Sequence, residues 1–192
     1  RLGAADEIVG TALTLALTLG GGLAWVFALA SGLTAQPLLR DLALLIGYAL
    51  IAGLVGLPLS LYSTFVIEAR FGFNKMTWKL WLADMAKALA LGVLLGLPLT
   101  ALVLWLMQSA GSLWWLWAWL AWSAFQLLLL VLYPTCIAPL FNKFTPLEDG
   151  TVKSRIEALL ARCGFQSKGL FVMDGSKRSS HGNADFTGFG AA

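Results

Sequence analysis

Charge is scarce in this sequence, and so are the side chains on which metal and nucleophile chemistry depend. Lys, Arg, Asp and Glu make up 12% of the 192 residues, against roughly 25% in a soluble domain, which excludes an ordinary soluble chain. Histidine occurs once, at His181; a zinc hydrolase draws on several imidazole or carboxylate ligands, so this ring alone makes no such centre. The two cysteines, Cys136 and Cys163, form no CxxC pair and read as reduced thiols. GxSxG, a glycine-rich phosphate loop and paired carboxylates are all missing. Ser179 and Ser180 adjoin His181, but adjacency does not supply the geometry of a nucleophile triad. A net charge of +3 is too small and too scattered to argue for nucleic acid.

What fills the space is apolar. Hydrophobic residues account for 59% of the chain, with nine tryptophans and a mean hydropathy of +0.80, the composition of a polytopic α-helical membrane protein. No charge falls between Ile8 and Leu39, and Ile8–Ala30 is long enough for the ~20 residues that cross a bilayer. Leu42–Val66, containing Pro58, predicts a second span, Ala88–Met107, containing Pro98, a third, and Leu113–Leu132 a fourth. Trp114, Trp115, Trp117, Trp119 and Trp122 crowd that fourth span, as an interfacial aromatic belt or as packing between helices. Glycines at 20–22, at Gly53 and Gly56, and at Gly92 and Gly96 are candidates for close helix approach.

Four alternating spans place one basic residue, Arg40, in the loops of one side and the rest, including Arg70, Lys75, Lys79 and Lys143, on the other. Basic loops stay cytoplasmic, so the polar C-terminal region is expected in the cytosol. There "NKFTPLEDG" reads as turn residues. Val152, Ile156, Leu159, Leu160 and Cys163 form one apolar helical stripe that Gly164 should end. "GLFVMDG" and "NADFTGFG" read as short strands. Some fifty residues make little core for a domain standing alone. Asp84 is the acid to notice within the apolar region, three residues before Lys87, and an interfacial ion pair between them is the expected reading. The chain opens on Arg1 without methionine and stops at Ala192, so both ends are expected to lie within a longer protein; no signal peptide pattern is visible.

Without family knowledge, "SKRSSHGNA" is a polar loop, and His181 a hydrogen-bonded loop histidine. Three stretches together, however, resemble the zinc-dependent CAAX prenyl proteases and their bacterial membrane metallopeptidase relatives: "LPLSLYSTFVIEARFGFNKMT" (Leu57 to Thr77), "IAPLFNKFTPLEDG" (Ile137 to Gly150) and "GSKRSSHGNADFTGFG" (Gly175 to Gly190). The resemblance implies a ring of membrane helices around a chamber, capped by a cytosolic α+β metalloprotease region. It divides the chain into a transmembrane domain at 1–141 and the start of the peptidase region at 142–192. It also implies a Zn2+ cofactor held by an HExxH helix and a later glutamate, all expected beyond Ala192, and a membrane helix before Arg1. No catalytic and no metal residue is therefore expected in this chain, which alone should be inactive. Asn183 matches the family asparagine that hydrogen-bonds substrate backbone, Ala184 its small neighbour, and His181 a histidine with a structural or substrate-side role. Asp185 and Thr187 depart from the aromatic positions of relatives, so no aromatic contact carries over. Implied partners are a peptide or protein substrate, lipid-modified or not, and membrane lipids, with no nucleic acid. The implied location is a multi-pass membrane protein, in the inner membrane if bacterial. The competing expectation is a non-catalytic membrane scaffold or peptide-binding protein that keeps the helix bundle.

Overall fold

The computed structural model describes residues 2–165, 167 and 169–180. Among the described residues eight α-helices follow in chain order: α1 (Leu2–Thr18), α2 (Gly22–Leu33), α3 (Pro37–Tyr62), α4 (Trp78–Leu91), α5 (Leu97–Ser109), α6 (Trp114–Leu132), the single turn α7 (Ala138–Phe141) and α8 (Thr151–Cys163). Wider π-helical turns at Ser63–Glu68, Gly92–Gly96 and Tyr133–Ile137 extend or join them. Continuous apolar helices result over Pro37–Glu68, Trp78–Ser109 and Gly111–Phe141, each long enough to span a bilayer. The protein is a multi-pass integral membrane protein built on these helices.

Pro98 and Pro134 sit beside or inside the second and third π turns. Proline brings no N–H and crowds the carbonyl one turn back, and a locally widened turn accommodates both effects. Hydroxyls set within apolar sequence are satisfied by their own helix: Thr100 Oγ1 donates to the Gly96 carbonyl at 2.8 Å and Thr135 Oγ1 to that of Val131 at 2.7 Å. Such bonds keep polar groups paired where no water competes.

The first expected span is not one straight helix. α1 and α2 meet at a 61° bend across Gly20–Gly22. Gly21 has φ +78, the left-handed region that costs other residues ~1–2 kcal/mol. A Cβ on Gly20 would lie 2.5 Å from the Ala16 carbonyl oxygen. Hydropathy counts the apolar residues on both sides and cannot register this break. The other spans begin or end outside their expected limits, most of all the third, which starts at Trp78 rather than Ala88 and so carries Asp84 and Lys87 within α4. The helix runs on through its charged first turns because backbone hydrogen bonding continues where hydropathy falls.

The chain forms two compact units, Arg1–Asn74 with Leu89–Trp122 and Lys75–Ala88 with Ser123–Ala192. In the first, α1 and α2 pack on α3, and α3 on α5. The buried apolar residues among those described are Leu17, Val26 and Ala30, all here. Close approach occurs at Gly47, where a Cβ would stand 2.8 Å from Val26 Cγ1, whereas Gly53, Gly56, Gly92 and Gly96 face nothing within 4 Å. Arg40, the basic residue of the basic-poor side, stacks its guanidinium 4.7 Å from the centre of the Phe27 ring and pairs with Asp41 at 3.3 Å. The five tryptophans of α6 are exposed, as an interfacial belt requires.

In the second unit, "NKFTP" is not merely a turn. Phe144–Pro146 (β1) pairs antiparallel with Phe171–Met173 (β2), Phe144 opposite Met173 and Pro146 opposite Phe171. The three-residue length and the proline hid this strand from pattern reading. α8 ends as expected: Gly164 takes φ +72, and the Phe165 N–H reaches the Leu160 carbonyl at 2.9 Å. The apolar residues Val152, Leu159, Phe165 and Phe171 remain exposed. The second expected strand, "NADFTGFG", lies outside the described residues, as does the domain boundary's C-terminal limit at 192.

Candidate functional site

Two backbone hydrogen bonds tie the second of the family-like stretches to the chain that leads into the third. The Asp174 N–H donates to the Lys143 carbonyl at 3.0 Å and the Leu147 N–H to the Leu170 carbonyl at 2.8 Å, extending the β1–β2 pairing at both ends. A 3₁₀ turn at Gly175–Lys177 then reverses the chain, closed by the Arg178 N–H on the Gly175 carbonyl at 3.0 Å. The turn delivers Arg178 beside α4 and the end of α7.

There the Arg178 guanidinium makes three hydrogen bonds. Nε donates to Asp84 Oδ2 at 2.7 Å and Nη2 to Asp84 Oδ1 at 2.9 Å, a two-pronged match of fork to carboxylate, while Nη1 donates to Asn142 Oδ1 at 2.8 Å. This is the geometry for which arginine is suited and lysine is not. The Arg178 carbonyl meanwhile accepts from the Lys75 N–H at 3.1 Å. Lys75, Asn142 and Arg178 belong in turn to the first, second and third of the family-like stretches. One residue therefore touches all three.

Both charged partners are largely shielded, with 15% of the Asp84 side chain and 20% of the Arg178 side chain exposed. Hydrogen bonding to Asp84 pushes Arg178 above its usual value, against the opposing effect of burial, so its charge is permanent. Lys87 takes a lesser part: its Nζ stands 3.8 Å from Asp84 Oδ1 and donates instead to the Leu140 carbonyl at 2.8 Å, 5.6 Å from the centre of the Phe141 ring. The expected Asp84–Lys87 pair thus exists, but Arg178 is the principal partner. Sequence reasoning missed it because 94 residues separate Arg178 from Asp84. The available signal was an acid on an apolar helix, which demands a strong donor from somewhere. At the start of the turn, Lys177 Nζ reaches Asp174 Oδ2 at 2.6 Å and its hydrogen bond draws that carboxyl below the ordinary range.

His181, Asn183, Ala184, Asp185 and Thr187 lie outside the described residues. Cys136 and Cys163 are exposed free thiols. Among the described residues no three His, Cys, Asp or Glu side chains converge into a metal site; these residues do not fit a zinc ion, and no step through zinc follows from them. What they do form is an anchor, chemically an ion pair with a neutral acceptor.

Both the sequence and the fold are similar to known proteins. Residues 1–143 match the profile described as CAAX prenyl protease N-terminal, five membrane helices. A CAAX prenyl protease 1 homolog of Oryza sativa subsp. japonica is 46% identical over 160 residues, covering 83% of this chain and 38% of the relative. CAAX prenyl protease 1 of Saccharomyces cerevisiae is 50% identical over 137 residues, 70% of this chain and 30% of the relative. The crystal structure of S. mikatae Ste24p superposes with a TM-score of 0.87 at 39% identity, covering 97% of this chain and 45% of that one. The chain thus spans 30–38% of the length of these curated relatives and 45% of the solved structure.

Proposed function

Because the chain belongs to the CAAX prenyl protease family, we propose that it forms the membrane part and the substrate-binding approach of an integral-membrane zinc metalloendopeptidase. The family match over residues 1–143 carries this reading, and the meeting of three signature stretches at Arg178 supports it. The substrates are peptides or proteins delivered at the membrane, prenylated at a CAAX-type terminus as the names of the relatives suggest. Residues 1–141 constitute the membrane domain and residues 142–192 begin the peptidase region. The excess of basic residues beside that region sets it in the cytosol.

In this reading a substrate peptide adds as an extended strand near Asn183, whose carboxamide hydrogen-bonds its backbone while Ala184 leaves room for it. Main-chain pairing of this kind gives affinity independent of most side chains and holds the scissile bond straight. His181 supports the same segment. The zinc ligands and the general base are supplied by segments of the full-length protein that this chain does not contain, and zinc provides there the polarised water and carbonyl on which hydrolysis depends.

The test uses the full-length protein in lipid vesicles with a farnesylated CAAX peptide. Cleavage is expected, and Asn183→Ala should slow it while bound zinc stays constant, because a substrate contact is lost and the metal shell is not. A full-length protein that binds such a peptide without ever cleaving it would establish the scaffold reading in place of the protease.

A further inference from the structure

We propose that the start of α4 binds an acidic phospholipid, its phosphate held by Lys75 and Lys79 and an acyl chain lying along Trp78, Leu82 and Met85; the site does not depend on the protease reading above. α4 has two chemically different faces. Asp84 and Lys87 bond to other parts of their own unit, Arg178 and the Leu140 carbonyl. Trp78, Leu82 and Met85 recur at i, i+4 and i+7 on another face and are 56%, 53% and 40% exposed. Lipid tails meet such a stripe on many membrane helices. What sets this one apart stands at its end.

The long apolar helix begins at Trp78, so Lys75 and Lys79 flank the point where it leaves the hydrocarbon. Both are exposed. Lys87, Lys153 and Lys177 of the same unit each reach a carboxylate, at 3.8, 2.6 and 2.6 Å, whereas neither Lys75 nor Lys79 has an anionic partner among the described residues. Their backbone is well held. The Lys75 N–H donates to the Arg178 carbonyl at 3.1 Å, and Thr77 Oγ1 caps the helix by accepting from the Leu80 N–H at 3.3 Å. Trp78 stands edge-on to Trp81, with ring centres 6.2 Å apart.

The order of these groups matches the order within a lipid: two ammonium groups for a phosphate, an indole of the kind that settles at the headgroup level, then two flexible apolar side chains for the tail. The positive end of the α4 dipole adds to the attraction for the phosphate. A purely apolar protein surface could cover the stripe, but both ammonium groups would stay unpaired. A zwitterionic lipid carries its own cation beside the phosphate, so the two lysines select a headgroup of net negative charge. Each lysine beside an anionic headgroup is worth about fivefold in affinity, and the pair about 25-fold.

The experiment is native mass spectrometry of the full-length protein in detergent, titrated with dioleoyl phosphatidylglycerol or with dioleoyl phosphatidylcholine, with the melting temperature recorded for each variant. The first phosphatidylglycerol is expected to bind about 25-fold more tightly than phosphatidylcholine, about fivefold more weakly in Lys79→Gln and about 25-fold more weakly once Lys75→Gln is added. Leu82→Gln should weaken both lipids while keeping their ratio, because it touches the tail and not the phosphate. Arg162→Gln removes the same charge from α8 and should leave the affinity unchanged. Equal binding of the two lipids, a loss in Arg162→Gln as large as in Lys79→Gln, or an indifferent Leu82→Gln would each overturn the proposal, the last by showing headgroup attraction without a seat for the chain. Should the double variant fail to accumulate, Lys79→Gln alone decides. None of these readouts requires peptidase activity, so the site and the protease reading stand or fall separately.

Discussion

Replacing Asp84 by asparagine removes the charge around which the second unit is tied while leaving its shape nearly intact. In the structure the carboxylate accepts from Arg178 at 2.7 and 2.9 Å, with 15% of the aspartate and 20% of the arginine side chain exposed. Coulomb attraction between unit charges at this range is of order 4 kcal/mol at an effective dielectric near 20, and much of it is offset by the cost of shielding both ions from water. Asparagine retains one neutral acceptor for the guanidinium, so one of two charge-assisted bonds weakens and the other is lost. The net cost comes to about 2–3 kcal/mol. For a chain of this size that lowers the melting temperature by about 4–12 °C, measured by thermal unfolding in detergent. Lys87→Met is the internal control. Its ammonium lies 3.8 Å from the same carboxylate and is 41% exposed, so loss of that ion pair should cost at most about 1 kcal/mol, beside the loss of its hydrogen bond to the Leu140 carbonyl. If Asp84→Asn leaves the melting temperature unchanged, Arg178 is not the partner that holds Asp84.

Gly47→Ala should destabilise by about 1–3 kcal/mol through overpacking, because the added Cβ meets Val26 Cγ1 at 2.8 Å; Val26→Ala in the same chain should recover much of the loss in a melting assay. Gly21→Ala should cost about 1–2 kcal/mol by forcing a Cβ into the left-handed region, and a wild-type melting temperature would show that the α1–α2 bend does not need that backbone. At the start of α8, Asp149 and Lys153 pair at 2.6 Å, and their hydrogen bond lowers the carboxyl below 3.8 and raises the amine above 10.5. A depressed carboxyl stabilises above its unfolded value and loses that contribution as pH falls through its folded one; a raised amine stabilises below its unfolded value and loses it as pH rises through its folded one. Amide exchange in the first turn of α8 should therefore quicken below pH 3.8 and above pH 10.5 relative to Asp149→Asn, and identical profiles would contradict the pairing.

Most of the membrane architecture was legible because lipid imposes a simple rule: long apolar runs without charge must be helices. Leu42–Val66 and Leu113–Leu132 fall inside the observed helices Pro37–Glu68 and Gly111–Phe141 for that reason. The break at Gly20–Gly22 escaped because apolarity is continuous through it and only backbone dihedrals distinguish a bend from a contact. The α8 stripe and its Gly164 cap were readable from local spacing, whereas β1 depends on a partner strand 25 or more residues away. Asp84 stood out as an acid in an apolar stretch, and Lys87 was its nearest candidate by helical spacing. Arg178 could not be assigned to it, since no local rule links a loop arginine to a helix acid 94 positions earlier. The substrate-side residues Asn183, Ala184 and His181 were reached by family resemblance alone, not by the physics of their neighbours.

The proposed function sets this membrane architecture within a full-length zinc peptidase that acts on prenylated peptides. Its most direct measurement is the zinc content of the purified full-length protein together with cleavage of a farnesylated CAAX peptide before and after chelation. One bound zinc per active molecule is expected, by the three-ligand logic of a catalytic site, with cleavage abolished by chelator and restored by zinc. Undiminished cleavage by metal-free protein would contradict it.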